Sequence, residues 1–150
     1  MKRIFIQRDK CEACLGCSLA CMQAHRPDEG TLYDLNLADP IHESRSRICL
    51  DKQGRVTPMF CRHCDDPKCV KACMSGAMTQ DAASGQVRYD GQKCAACFMC
   101  VMNCPYGVIK PDRATKAKVI KCDFCVDDAE GPSCVRNCPK KAIYVEEVLA

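Results

Sequence analysis

Residues Cys94 to Pro105 read CAACFMCVMNCP, a CxxCxxCxxxCP run that constrains this chain more than any other stretch. Three thiols at two-residue spacing can close a tight loop around one face of a [4Fe–4S] cube, with backbone N–H groups turned toward the inorganic sulfides. The fourth, Cys104, stands beyond the reach of that loop and is followed by a chain-turning Pro105. In two-cluster proteins, such a fourth cysteine serves the other cluster. One run of this kind therefore requires a partner elsewhere in the sequence.

Three candidates are present. Cys11, Cys14, Cys17 and Cys21 repeat the spacing, with Met22 in place of the proline. Cys61, Cys64, Cys69 and Cys73 widen the middle gap to four residues and are followed by Met74; Cys122, Cys125, Cys134 and Cys138 widen it to eight and keep Pro139. With Cys94, Cys97, Cys100 and Cys104 these make four groups of four, and only Cys49 is left over. The repeat extends past the thiols. After the fourth cysteine come MSGAM, PYGVI and PKKAI in groups two to four, a turn and then an apolar pair, whereas group one continues as MQAHRPDEG. Lys10, Lys93 and Lys121 directly precede the first cysteine of groups one, three and four. Recurrence at this level of detail indicates structural duplication.

Cysteine makes up 17 of the 150 residues and Trp is absent, so few large side chains are available for a core and cross-links must supply much of the stability. The N-terminal MKRIFIQRDKC carries no apolar signal core or twin-Arg, and no stretch approaches a membrane span, so a cytoplasmic protein without direct membrane insertion is expected. Structural disulfides are rare in that compartment, and dense cysteines there bind metal. Zinc is the competitor for groups two and four taken alone, but a third close cysteine in groups one and three is specific to a cubane, because zinc knuckles pair two CxxC elements. The formal charge of +3 points weakly to nucleic acid. Bound clusters, each carrying net negative charge with its thiolates, would make the protein acidic, and few aromatics are available for base stacking. A zinc-binding nucleic-acid module remains the distant alternative.

If all sixteen thiols of the groups ligate, every iron of four [4Fe–4S] clusters has a protein ligand and none is open for Lewis-acid chemistry. There is no GxGxxG or P-loop, so electron transfer without a catalytic site is the expected role. Of His25, His42 and His63, only His63 lies near ligands in sequence, and it reads as a surface or hydrogen-bonding residue with potential tuning as the sharper option. Arg62, His63, Lys68 and Lys71 crowd group two, against Asp65 and Asp66, whereas Asp123, Asp127, Asp128 and Glu130 crowd group four, which predicts the lower potential for group four. The basic segment Lys110–Lys121 reads as a solvated connector, with a docking surface as the alternative. Cys49 reads as a small apolar residue in the strand SRICLD, and Met59 and Phe60 as core or cluster-shielding residues.

RIFIQ, QVRYD, KVIK and AIYVEEV read as short strands, the first and last suited to pairing with each other. With small helices expected after the fourth cysteines, the class is α+β.

In the order and gaps of its four groups the chain resembles the four-cluster ferredoxin-like subunits of dimethyl sulfoxide reductases, formate dehydrogenases, hydrogenases and carbon monoxide dehydrogenases. The opening MKRIFIQRDKCEACLGCSLACMQAH looks most like the carbon monoxide dehydrogenase-associated member. The resemblance implies two bacterial-ferredoxin-like modules, one inserted in the other: residues 1–55 plus 112–150 outside and 56–111 inside. It also implies four ligand sets: Cys11, Cys14, Cys17 with Cys138; Cys122, Cys125, Cys134 with Cys21; Cys61, Cys64, Cys69 with Cys104; and Cys94, Cys97, Cys100 with Cys73. A tandem arrangement, group one with two and three with four, is the alternative. The implied partner is an anaerobic redox enzyme, carbon monoxide dehydrogenase first, with a flavin NAD(P) oxidoreductase or hydrogenase downstream. Formate dehydrogenase and aldehyde oxidoreductase are the competing partners.

Overall fold

The computed structural model describes residues 1–148. Among the described residues eight short strands form four antiparallel pairs, and four α-helices carry cysteines between them. Strand β1 (Lys2–Ile6) pairs with β8 (Ile143–Glu147), with Ile4 opposite Val145, so the two ends of the chain are tied together as RIFIQ and AIYVEEV lead one to expect. The backbone beyond the strands extends the tie, the Val148 N–H donating to the Met1 carbonyl at 2.8 Å.

The other pairs are β2 (Arg47–Leu50) with β3 (Val56–Met59), β4 (Met78–Gln80) with β5 (Val87–Tyr89), and β6 (Lys110–Pro111) with β7 (Val119–Ile120). Each of these three connections opens with an aspartate whose carboxylate accepts the N–H two residues on: Asp51 from Gln53, Asp81 from Ala83 and Asp112 from Ala114. An Asx turn of this kind reverses the chain by side-chain chemistry, which lets strands of two to four residues pair at all. Pro58 cannot donate to a ladder and is tolerated because β3 has a partner on one side only.

The helices are α1 (Gly16–His25), α2 (Lys68–Lys71), α3 (Met99–Met102) and α4 (Ser133–Arg136). They do not follow the fourth cysteines. Each begins one residue before the third cysteine, and the three short ones end before the fourth. Helix α1 packs on α4 and α2 packs on α3. Two apolar clusters result. One gathers Ile4, Phe60, Phe124 and Ile143 around Cys17 and Cys134, and the other gathers Met78, Val87, Ile109 and Val119 around Cys100. Thiols thus take core positions that large side chains occupy in other proteins. No helix among the described residues is long and apolar enough to cross a membrane.

Candidate metal centres

The four cysteine groups share a backbone as well as a spacing. The second residue after the first cysteine has positive φ in every group: Ala13 at 54°, His63 at 44°, Ala96 at 54° and Phe124 at 67°. Groups one and three add a second such residue, Leu15 and Phe98, which also caps the following helix, and group four adds Cys125. Among the described residues seven of the nine non-glycine residues with positive φ stand in these loops. Left-handed backbone costs roughly 1–2 kcal/mol per residue, and in return its alternation with right-handed backbone aims successive N–H groups into one concavity suited to an anion. A sulfide-rich cluster is such a ligand.

Helix α1 departs from the other three by running on past the fourth cysteine, which places Cys21 and His25 on one face. In groups two to four the chain turns instead. Gly76, Gly107 and Lys141, each three residues past the fourth cysteine, have φ values of 69°, 58° and 49° and return the chain into a strand.

The thiols converge across groups. Cys17 is acted on by the charges of Cys11 and Cys138, and one cavity is lined by Cys11, Cys14, Cys17 and Cys138 together. Cys134 has Cys21 and Cys125 as its first charge neighbours, with Cys17 next. Cys64 and Cys69 both face Cys61 and Cys104, and Cys100 faces Cys73 and Cys94. In each gathering a fourth cysteine of one group neighbours cysteines of another. Cys122 has Cys61 and Cys21 beside it, which brings loops two and four together. Cys97 stands exposed on loop three, as Cys14 does on loop one.

Among the described residues all of these cysteines are free thiols. Burial, reinforced by neighbouring sulfurs, pushes Cys17 up to about 11, and burial pushes Cys134 up to about 12. Burial also raises Cys69 to about 11, the nearby Lys121 ammonium opposing it. Against the same upward push, hydrogen bonds from His25 and the Arg45 N–H hold Cys21 below its ordinary value, and the Met78 N–H and Ser75 do so for Cys73. A buried thiol of raised pKa keeps its proton at neutral pH until a cation displaces it, so metal uptake and proton release are coupled here. N–H···S bonds are already in place at Cys21 from Arg45 (3.3 Å), at Cys73 from Met78 (3.3 Å) and at Cys122 from Phe124 (3.4 Å). The donor set, the concavities and the convergence all fit [4Fe–4S] clusters.

Other predicted residues fall differently. His63 is not a surface residue: it is 1% exposed, its Nδ1 accepts the Val87 N–H at 3.0 Å, and its ring meets Phe124 edge to face. Burial and then the Lys121 charge lower its pKa to about 3, which keeps the ring neutral. His25, distant from three of the groups in sequence, lies 3.7 Å from the Cys21 sulfur and 3.9 Å from that of Cys125. The i, i+4 spacing of Cys21 and His25 carries that signal once the helix is known. Although burial opposes its charge, the Asp123 carboxylate and the two thiols raise His25 to about 12. Asp123 also pairs with Arg45, Arg136 with Asp128 and Glu130, and Asp66 with Lys68 and Lys71. The acidic excess of group four is thus offset in part by His25, Arg45 and Arg136, whereas in group two Lys68 and Lys71 share the one carboxylate of Asp66. Lys110 and Lys121, the ends of the basic segment, are buried and not solvated. Cys49 is half-buried in β2, opposite Thr57, and Phe60 is core.

The family model described as a 4Fe-4S dicluster domain matches residues 53–148. The iron-sulfur protein of Rhodospirillum rubrum is 36% identical over 98% of this chain and 83% of its own length. The electron transport protein HydN of Escherichia coli is 32% identical over 93% of this chain and 85% of its own. The NADH-dependent phenylglyoxylate dehydrogenase subunit beta of Aromatoleum evansii is 38% identical over 89% of this chain, which spans only 28% of that longer protein. The chain belongs to the 4Fe-4S dicluster domain family and is an iron–sulfur electron-transfer protein.

Proposed function

We propose that this chain holds four [4Fe–4S] clusters and relays single electrons between a redox enzyme and a second carrier. The observation that supports the reading is that fourth cysteines neighbour cysteines of other groups. Cys138 lies beside Cys11 and Cys17, Cys21 beside Cys134, Cys104 beside Cys61 and Cys69, and Cys73 beside Cys100. We assign the ligand sets accordingly: Cys11, Cys14, Cys17, Cys138; Cys122, Cys125, Cys134, Cys21; Cys61, Cys64, Cys69, Cys104; and Cys94, Cys97, Cys100, Cys73. These sets make group one the partner of group four and group two the partner of group three. The packing of α1 on α4 and of α2 on α3 favours this nested pairing over the tandem one. It corresponds to an outer module of residues 1–55 plus 112–150 with residues 56–111 inserted, and the pairing of β6 with β7 laces the two across that boundary.

A cluster in such a set supplies one-electron exchange without bond making. The chain's part is to fix the order. Cys17 and Cys134 link the first set to the second, and Cys122 and Cys61 link the second to the third. The inner pair extends the line, and the exposed Cys14 and Cys97 then mark its two ends. Ends near the surface with buried middles suit a wire that exchanges electrons with different proteins at either side. With four thiolates for each cluster, the chain has no catalytic site of its own.

For the partner, the N-terminal resemblance favours carbon monoxide dehydrogenase, with a flavin NAD(P) oxidoreductase or hydrogenase downstream and a cytoplasmic setting. The relative that is a dehydrogenase subunit supports an oxidoreductase complex in general and leaves formate dehydrogenase and aldehyde oxidoreductase as competitors. Anaerobically purified protein should contain about sixteen iron atoms and as many acid-labile sulfides per chain, and bind no nucleic acid. Zinc without labile sulfide would overturn the reading in favour of a zinc module.

A further inference from the structure

Two lysines are buried at the ends of the basic segment, and they differ in what faces them. Lys110 is 7% exposed, and its ammonium meets the Glu43 carboxylate at 3.0 Å. Lys121 is 4% exposed, and its Nζ donates to the carbonyl oxygens of Val87 at 2.6 Å and Cys122 at 2.7 Å. Among the described residues no carboxylate forms an ion pair with Lys121. Carbonyl dipoles alone compensate a buried ammonium poorly, so an anion is to be expected beside it.

The position of Lys121 supplies one on each side. Its ammonium holds the Cys122 carbonyl of group four, and Val87, whose carbonyl it also holds, gives its N–H to His63 in the loop of group two, whose ring in turn packs on Phe124 of group four. Lys10 and Lys93 hold the same place before groups one and three but are exposed, Lys93 pairing with Asp90 at 3.5 Å. Several other charges around groups two and four have partners of opposite sign: Asp123 with His25 and Arg45, Asp66 with Lys68 and Lys71, and Asp65 with Arg3. Lys121 is thus the buried charge at this junction whose balance awaits a bound anionic group.

We propose that Lys121 is the fixed counter-ion shared by the clusters of groups two and four, and that its charge raises both of their reduction potentials. Reduction adds one electron, supplied by the reductant, and makes a cluster more negative. A buried positive charge stabilises that state, so the electron is held at the middle of the line and not at its exposed ends. The proposal rests on the four-cluster reading, which iron and sulfide analysis of the unaltered protein tests separately.

The experiment is a dithionite titration of the full chain followed by electron paramagnetic resonance, comparing the unaltered protein with K121M, K121Q and K121R. K93M, which removes the exposed lysine at the equivalent place, is the control. In K121M and K121Q two of the four midpoints should fall by at least the equivalent of tenfold in the reduction equilibrium, 59 mV for one electron. K121R should shift them less, and K93M should shift none. Unchanged midpoints in an iron-replete K121Q, whose amide keeps hydrogen bonding without charge, would overturn the proposal. Should the neutral variants fail to take up iron, uptake by K121R would support a requirement for the charge. Failure of all three would overturn it, assigning Lys121 to hydrogen bonding of the fold alone.

Discussion

Lys141 occupies a position that the chain gives to glycine in two other repeats. Its N–H donates to the Cys138 carbonyl just as Gly76 and Gly107 donate to Cys73 and Cys104, and all three have positive φ. A Cβ added at Gly76 or Gly107 would meet nothing within 4 Å, so the cost of a side chain here is conformational and not a clash. Replacing Lys141→Gly should therefore stabilise the protein by about 0.5–1 kcal/mol, the relief of left-handed strain less the added freedom of the unfolded chain. Slower loss of the cluster absorbance in guanidinium would register the gain, and Gly107→Ala should move it the other way. The three repeats show this position in the sequence, as MSGAM, PYGVI and PKKAI, and only the third lacks the glycine. His63 and His25 were far less legible. Whether a histidine between two cysteines faces water or core depends on which loop abuts it, here Phe124 of group four, and that is a tertiary fact.

Elements of four residues are set by the thiols more than by helix propensity, because so short a helix is not stable alone. The expectation of helices after the fourth cysteines failed for that reason. The third cysteine is the second residue of each helix, a placement no apolar periodicity reveals. Strands β3, β4 and β6 also escaped notice, being two to four residues long, two of them containing proline. What spacing did convey was that a fourth cysteine lies outside its own loop. If the exchange between groups holds, Cys104→Ala and Cys69→Ala should perturb one and the same cluster signal although they belong to different sequence groups. Cys73→Ala and Cys100→Ala should jointly perturb another. Each variant should retain about twelve to sixteen irons, according to whether the incomplete site keeps its cluster. Matching effects within Cys61–Cys73 and within Cys94–Cys104 would instead mean that each group closes its own site.

At the scale of the molecule, the proposed division into two nested modules, which the family resemblance implies, meets side chains that join the two segments more tightly than those boundaries imply. Phe60 comes from the inserted segment yet is buried with Ile4, Phe124 and Ile143, the apolar cluster beneath the paired chain ends. Val119 comes from the outer segment yet is buried with Met78, Val87 and Ile109. Each core therefore depends on a residue of the other, and β6 and β7 pair across the same boundary. A chain with so few large side chains has little to spare for independent stability of either half. Removing one such link should then weaken both halves together. Phe60→Ala deletes a ring that is 6% exposed, a change worth about 3–5 kcal/mol in a packed core. Its effect should appear as faster loss of cluster absorbance during denaturation, in one phase and with all four clusters released together. Release in two phases, with only the clusters of groups one and four made labile, would show that the modules stand apart and that the ring serves the outer one alone.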